Sequence, residues 1–98
     1  MKNYKITMLP TAKVDLADMI DYLSQFYPST AITQYDRIID RINKLKEFPL
    51  MCEEYLTETM DFQYRKMVVD NYLVFYVRLE DVIEIHRIIN GKMDSRTL

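Results

Sequence analysis

Tyr72-Leu73-Val74-Phe75-Tyr76-Val77-Arg78-Leu79 is the stretch on which the fold turns. Aromatic and β-branched residues fill it, as they do in strands. From Tyr72 to Val77 both parities are apolar, so this strand needs cover on both faces. Asp70-Asn71 before it and Glu80-Asp81 after it are tight-turn pairs. Beyond those turns, Phe62 to Val69 and Val82 to Asn90 carry the period of two expected of strands. The three segments form an antiparallel meander with the doubly apolar strand in its centre.

Upstream the period changes. Ala12, Leu16, Met19, Ile20, Leu23, Phe26 and Tyr27 recur at steps of three and four, one apolar face of a helix, with Asp15, Asp18 and Asp21 mostly off that stripe. Thr11 or the Leu9-Pro10 pair sets its start, and Pro28 ends it. Ser29 and Thr30 are candidate caps for a second helix. Its stripe is Ala31, Tyr35, Ile38, Ile39, Ile42 and Leu45, and Phe48-Pro49 closes it. So short a connection makes the two helices an antiparallel hairpin. Like charges four apart, Asp36–Asp40 and Arg37–Arg41, make the polar face of the second helix a solvated surface. Tyr4 to Leu9 reads as a strand, and residues 50–61, with Cys52-Glu53-Glu54, read as loop. The expected class is α+β, in the order β-α-α-β-β-β, as a single domain over residues 1–98. The hairpin covers one sheet face; the chain's own ends or a partner must cover the other.

Composition narrows the function. The chain has 98 residues, one cysteine, one glycine, and a formal charge of −2. From residue 61 onward six basic side chains stand against six acidic ones. That balance argues against a general nucleic-acid binder, whose affinity rests on phosphate contacts. No apolar segment is long enough to span a bilayer. The lone Cys52 cannot pair internally and reads as an incidental loop thiol, so the expected setting is reduced and cytoplasmic. No metal or cofactor motif is present.

Several side chains are candidates for chemistry or contact. His86 is the only histidine and a proton-transfer candidate. Strand alternation places it beside Glu84 on one face, with Arg87 beside Ile85 and Ile89 on the other, so the two point apart unless a bulge intervenes. Arg87, flanked by isoleucines, needs a partner such as Asp15 or Asp18 if buried. Arg65 and Lys66 face opposite ways on their strand. With Lys92 and Arg96 they are the expected positive patch.

Leu9-Pro10-Thr11-Ala12-Lys13-Val14-Asp15-Leu16 resembles the "A-x-x-D-L" helix start of the RelE/ParE toxins. Phe48-Pro49, Tyr64-Arg65-Lys66, Asn71 to Tyr76, and Ile88-Ile89-Asn90-Gly91-Lys92-Met93-Asp94, like the closing "I-x-H-G-R-R-D", are similar to that family in order and spacing. The resemblance implies a toxin of a plasmid-stabilising type II module, held inactive by an antitoxin whose disordered tail folds on it. It leaves two activities open, a ParE-like toxin that binds DNA gyrase and a RelE-like nuclease that cuts ribosome-bound messenger RNA. The strand arginine of the nucleases falls on Leu73, a second arginine falls on Met93, and their C-terminal tyrosine has no counterpart within the 98 residues. The resemblance therefore favours the binding toxin over an enzyme, with Arg65, Lys66, Leu73, Phe75, Lys92 and Arg96 as target or antitoxin contacts. Were it a nuclease, Lys66, His86 and Arg87 would be the catalytic candidates. Neither membrane nor sequence-specific DNA is an expected partner.

Overall fold

The computed structural model describes residues 3–50, 52–55 and 63–92. Strand β1 (Lys5–Met8) leads into α1 (Pro10–Phe26) and α2 (Pro28–Lys44). Strands β2 (Glu53–Tyr55), β3 (Tyr64–Val69), β4 (Tyr72–Leu79) and β5 (Val82–Asn90) follow. The sheet order is β1-β5-β4-β3-β2. The last four strands pair antiparallel, whereas β1 pairs parallel with β5 from Lys5 opposite Val82 to Met8 opposite Ile85. A parallel pair needs a long connection, and between β1 and β5 it comprises the helical hairpin and strands β2 to β4.

Pro10 occupies the first turn of α1, where its missing N–H is no loss. Tyr27 ends α1 and also precedes the first residue of α2, so one residue makes the bend. Ser29 and Thr30 lie inside α2 and make no cap; the Thr33 hydroxyl donates back to the Ser29 carbonyl at 3.1 Å. Helix α2 stops at Lys44, earlier than Phe48-Pro49, and the chain tightens through a turn over residues 45–47. The Cys52-Glu53-Glu54 segment is not wholly loop, because Glu53–Tyr55 pairs with Tyr64–Lys66 as an edge strand. Three residues are too few to display a period, and only the neighbouring strand makes them extended.

Both faces of β4 are buried, as its composition requires. Val74 and Tyr76 join the helix-side core with Ala12, Leu16, Ile38, Ile42 and Leu45. Phe75 and Val77 form the second cluster with Tyr64 and Ile89 on the opposite face. Phe75 is 0% and Val77 2% exposed in the isolated chain. The α1 stripe is buried only through Ala12, Leu16 and Met19, with Ile20 and Leu23 partly covered. Its last two members, Phe26 and Tyr27, are exposed at 59% and 64%. On α2, Arg37 clamps the Asp70 carboxylate at 2.7 and 2.9 Å, joined by Gln34 at 3.2 Å. The polar face is thus tied to the β3–β4 turn rather than only solvated. The Arg37 guanidinium holds the Asp70 carboxyl below the usual carboxylate range. Asp70 and Glu80 open the two hairpin turns with φ of 56° and 53°, a conformation Asp accepts more readily than Glu. Among the described residues no helix is long and apolar enough to cross a membrane.

Burial pushes the hydroxyl of Tyr76, which donates to the Pro49 carbonyl at 2.9 Å, well above its ordinary value. Tyr64 and Tyr72 rise for the same first reason. A raised acid gives full stability below its unfolded pKa of about 10 and loses it as pH climbs toward the folded value. The urea midpoint should therefore fall steeply above about pH 10, and Tyr76→Phe should flatten that fall. A parallel decline in the variant would contradict the assignment to Tyr76.

Candidate functional site

Strand β5 carries two of the three catalytic candidates, His86 and Arg87, and its backbone is irregular where they sit. Tyr76 lies opposite Ile85 but Phe75 lies opposite Arg87, so His86 is the extra residue of a bulge. The bulge shifts the parity of everything after it. Ile83, Ile85 and Ile88 belong to the helix-side core, whereas Ile89 joins the far-side cluster. Arg87 is therefore not aligned with both Ile85 and Ile89, as simple alternation would have it.

The bulge also changes what satisfies the strand's outer edge. Up to Ile85 that edge belongs to β1, through Lys5 N–H to the Asp81 carbonyl and Leu9 N–H to the Ile85 carbonyl, both 2.9 Å. Beyond it, side chains of α1 take over. The Thr11 hydroxyl donates to the His86 carbonyl at 2.8 Å, and the Ile88 N–H donates to the Asp15 carboxylate at 2.9 Å. Thr11 and Asp15 are four apart, hence one above the other on the helix. Arg87 adds two bonds to the same carboxylate, from Nε at 2.8 Å and from a terminal nitrogen at 3.1 Å. The Asp15 side chain is 13% exposed and that of Arg87 31%. Asp15 also raises the Arg87 guanidinium further above its already high pKa. Of the two suggested partners, Asp15 makes the pair; Asp18 lines the neighbouring cleft of about 470 Å³ with Tyr22, Tyr72 and Lys92.

His86 is 8% exposed and meets other partners. Its Nδ1 is 2.7 Å from the Tyr64 hydroxyl, and its Nε2 is 2.7 Å from Glu84. With Glu84 ionised and the imidazole neutral, Nε2–H donates to the carboxylate and Nδ1 accepts a hydrogen bond from the tyrosine hydroxyl. The rings of Tyr64 and His86 also meet edge to face at 5.1 Å. Glu84 was legible as a neighbour by alternation, but Tyr64 was not, since it comes from β3 across the width of β4. Both imidazole nitrogens are engaged, so taking a proton from a ribose hydroxyl would first require breaking one of these bonds. His86 and Arg87 are adjacent in sequence yet serve separate clusters.

The expected basic patch is dispersed. Arg65 donates to the Cys52 carbonyl at 2.6 Å and approaches Glu54 at 3.4 Å. It lies level with Tyr76, whereas exposed Lys92 follows Asn90, which pairs with Tyr72 at the other end of β4. Lys66 is half-buried and Leu73 partly buried, and Phe75 has no exposed surface to offer a partner. Met93, Asp94 and Arg96 lie outside the described residues. Among the described residues no group of three or more His, Cys, Asp or Glu side chains is placed to hold a metal ion.

A different surface has the shape of a binding site. Among the described residues edge strand β1 has a sheet neighbour on one side only, and the C-terminal part of α2 lies beside it, leaving a groove of about 730 Å³. Ile6, Met8, Ile39 and Ile42 contribute apolar lining, with Lys5 and Lys46 on its walls.

Comparison with known proteins is consistent across sequence and structure. The sequence profile described as "ParE toxin of type II toxin-antitoxin system, parDE" matches residues 6–95. A search of curated protein sequences returns no significant match. Among solved structures, the chain superposes on one from the chromosomal ParDE toxin–antitoxin system of P. aeruginosa with a TM-score of 0.75. The two are 14% identical, over 91% of this chain and 97% of that one. It also superposes on a chain of the archaeal RelE-RelB complex from Pyrococcus horikoshii OT3 with a TM-score of 0.68 and 15% identity. There the match covers 94% of this chain and 99% of that one. At such identities the structural likeness speaks for the fold.

Proposed function

We propose a toxin that acts by binding, and the premise is the family: the chain belongs to the ParE toxins of the type II toxin–antitoxin system parDE. In this reading it inhibits DNA gyrase and is neutralised by a cognate antitoxin. The observation that carries the choice of a binding mode is the state of the two nuclease candidates on β5. His86 has both nitrogens bonded within the fold, and Arg87 is clamped on Asp15. A phosphoryl-transfer site needs such groups aimed at a substrate; here they are aimed at the protein. Leu73 adds to this, since it stands where the nucleases resembled by this chain carry an arginine.

Inducible expression tests the reading. Induction of the SOS response with intact messages is the expected result. Immediate arrest of translation with cleaved messages would reject it in favour of the RelE-like nuclease. His86→Ala, if folded, should retain killing, and loss of killing by that variant alone would also count against a binding toxin.

The groove beside β1 is the reading's seat for the antitoxin. An extended segment can add to the free strand edge while its apolar side chains enter between β1 and α2. Lys5 and Lys46 suit a segment bearing carboxylates. Reversing both (Lys5→Glu with Lys46→Glu) should weaken antitoxin capture about tenfold or more and reduce its salt dependence. Unchanged capture in a titration at low salt would place the antitoxin elsewhere.

A further inference from the structure

Among the described residues, the tip of the helical hairpin carries the largest group of apolar side chains that the fold leaves exposed. From Tyr22 to Tyr35 the sequence contains no charged residue, with Asp21 and Asp36 at its borders. Within it Tyr22, Phe26, Tyr27, Ile32 and Tyr35 are 64%, 59%, 64%, 67% and 39% exposed. Tyr22 and Phe26 are in ring contact with centroids 5.4 Å apart, and Phe26 and Tyr27 at 6.5 Å. The three rings form a continuous ridge at the α1–α2 bend. Beside it, Ile20, Ser24, Ala31, Ile32 and Tyr35 line an open, mostly apolar hollow of about 190 Å³ between the two helices. A ridge of aromatic rings and a hollow of side-chain size thus occur on the same tip.

From this juxtaposition we infer that the hairpin tip is a self-association surface: two copies of the chain pack tip to tip about a two-fold axis, the aromatic ridge of each entering the hollow of the other. A two-fold interface requires that a surface and its complement reside on one copy, as they do here. Charge selects the same occupant. Each copy carries a formal charge of −2, so copies meet at least cost through an uncharged face. The proposed antitoxin seat offers lysines instead, and it lies at the opposite end of α2, at Asn43 and at Lys46 in the turn that follows. Area also suffices. An aromatic side chain carries about 150–250 Å², so the five exposed side chains present about 500–700 Å² per copy, or about 1,000–1,400 Å² across the axis, the lower range of a specific interface. Aromatic enrichment with depletion of Asp, Glu and Lys is the composition of such interface centres. The association is therefore weak and reversible.

Sedimentation equilibrium of the full chain over micromolar to submillimolar concentration tests this. The weight-average mass should rise from 11.8 kDa toward twice that value. Tyr27→Ser removes part of the ridge, and Ile32→Lys brings like charges together across the axis. Each should weaken self-association by about tenfold or more, with unchanged circular dichroism and thermal midpoint. Should Ile32→Lys disturb folding, Tyr27→Ser carries the test alone. A chain that stays monomeric throughout, or a dimer indifferent to a folded tip variant, overturns the inference. So does a monomer whose tip variants lose antitoxin capture, which would assign the tip to that partner.

Discussion

Replacing Asp15 with alanine should lower the unfolding free energy by about 3 kcal/mol, in line with the loss of one partner from a buried charged pair. One carboxylate accepts three hydrogen bonds here, two from Arg87 and one from the Ile88 N–H. Removing it leaves a guanidinium that is 31% exposed and a strand N–H without its acceptor. Arg87 can recover some hydration because it is not fully enclosed, which keeps the expected loss below the largest values seen for sealed pairs. The double variant Asp15→Ala with Arg87→Leu separates the two costs. It removes the stranded charge but leaves the Ile88 N–H unsatisfied, so it should regain about 1–2 kcal/mol relative to the single variant. Urea unfolding at neutral pH measures both. A loss below about 1 kcal/mol for Asp15→Ala would mean that the pair is only a surface contact.

Phe75→Ala should have a comparable or larger effect, about 3–5 kcal/mol. Phe75 is 0% exposed and packs with Tyr64, Val77 and Ile89 on the sheet face away from the helices. For a domain whose whole stability is about 5–15 kcal/mol, that loss is about a fifth or more. Phe75 was also a natural candidate for a partner contact, because β4 is apolar on both faces. The two roles predict different outcomes. A contact residue would leave the unfolding transition in place and weaken only association. A core residue shifts the transition itself, and any loss of killing or antitoxin capture should follow the unfolded fraction. Phe75→Leu, which keeps most of the buried surface, should cost much less than the alanine variant and retain binding.

The order strand, two helices, meander was legible because each element announces itself within a few residues. The three- and four-residue spacing from Ala12 to Leu23 needs no distant partner to make a helical face. Alternation and the pairs Asp70-Asn71 and Glu80-Asp81 likewise define β3, β4 and β5 locally. The double cover of Val74–Val77 followed from composition, as did the need of Arg87 for an acidic partner. The end of the α1 stripe was misleading for the same local reason. Periodicity marks Phe26 and Tyr27 as core, but in the fold both stay more than half exposed.

The candidate site was less legible, because single-residue offsets between distant strands control it. One extra residue at His86 reverses the parity of the strand beyond it, and no local pattern in Val82–Asn90 reveals where that residue falls. The Tyr64 partner of His86, the β2 edge pairing and the dispersal of Arg65 from Lys92 all depend on register across the sheet. Thus the doubly apolar β4 and its flanking turns were determined by the sequence itself. Which side chains meet around that strand was decided only by the tertiary structure, since hydrophobic period is a property of neighbours along the chain and register a property of neighbours across it.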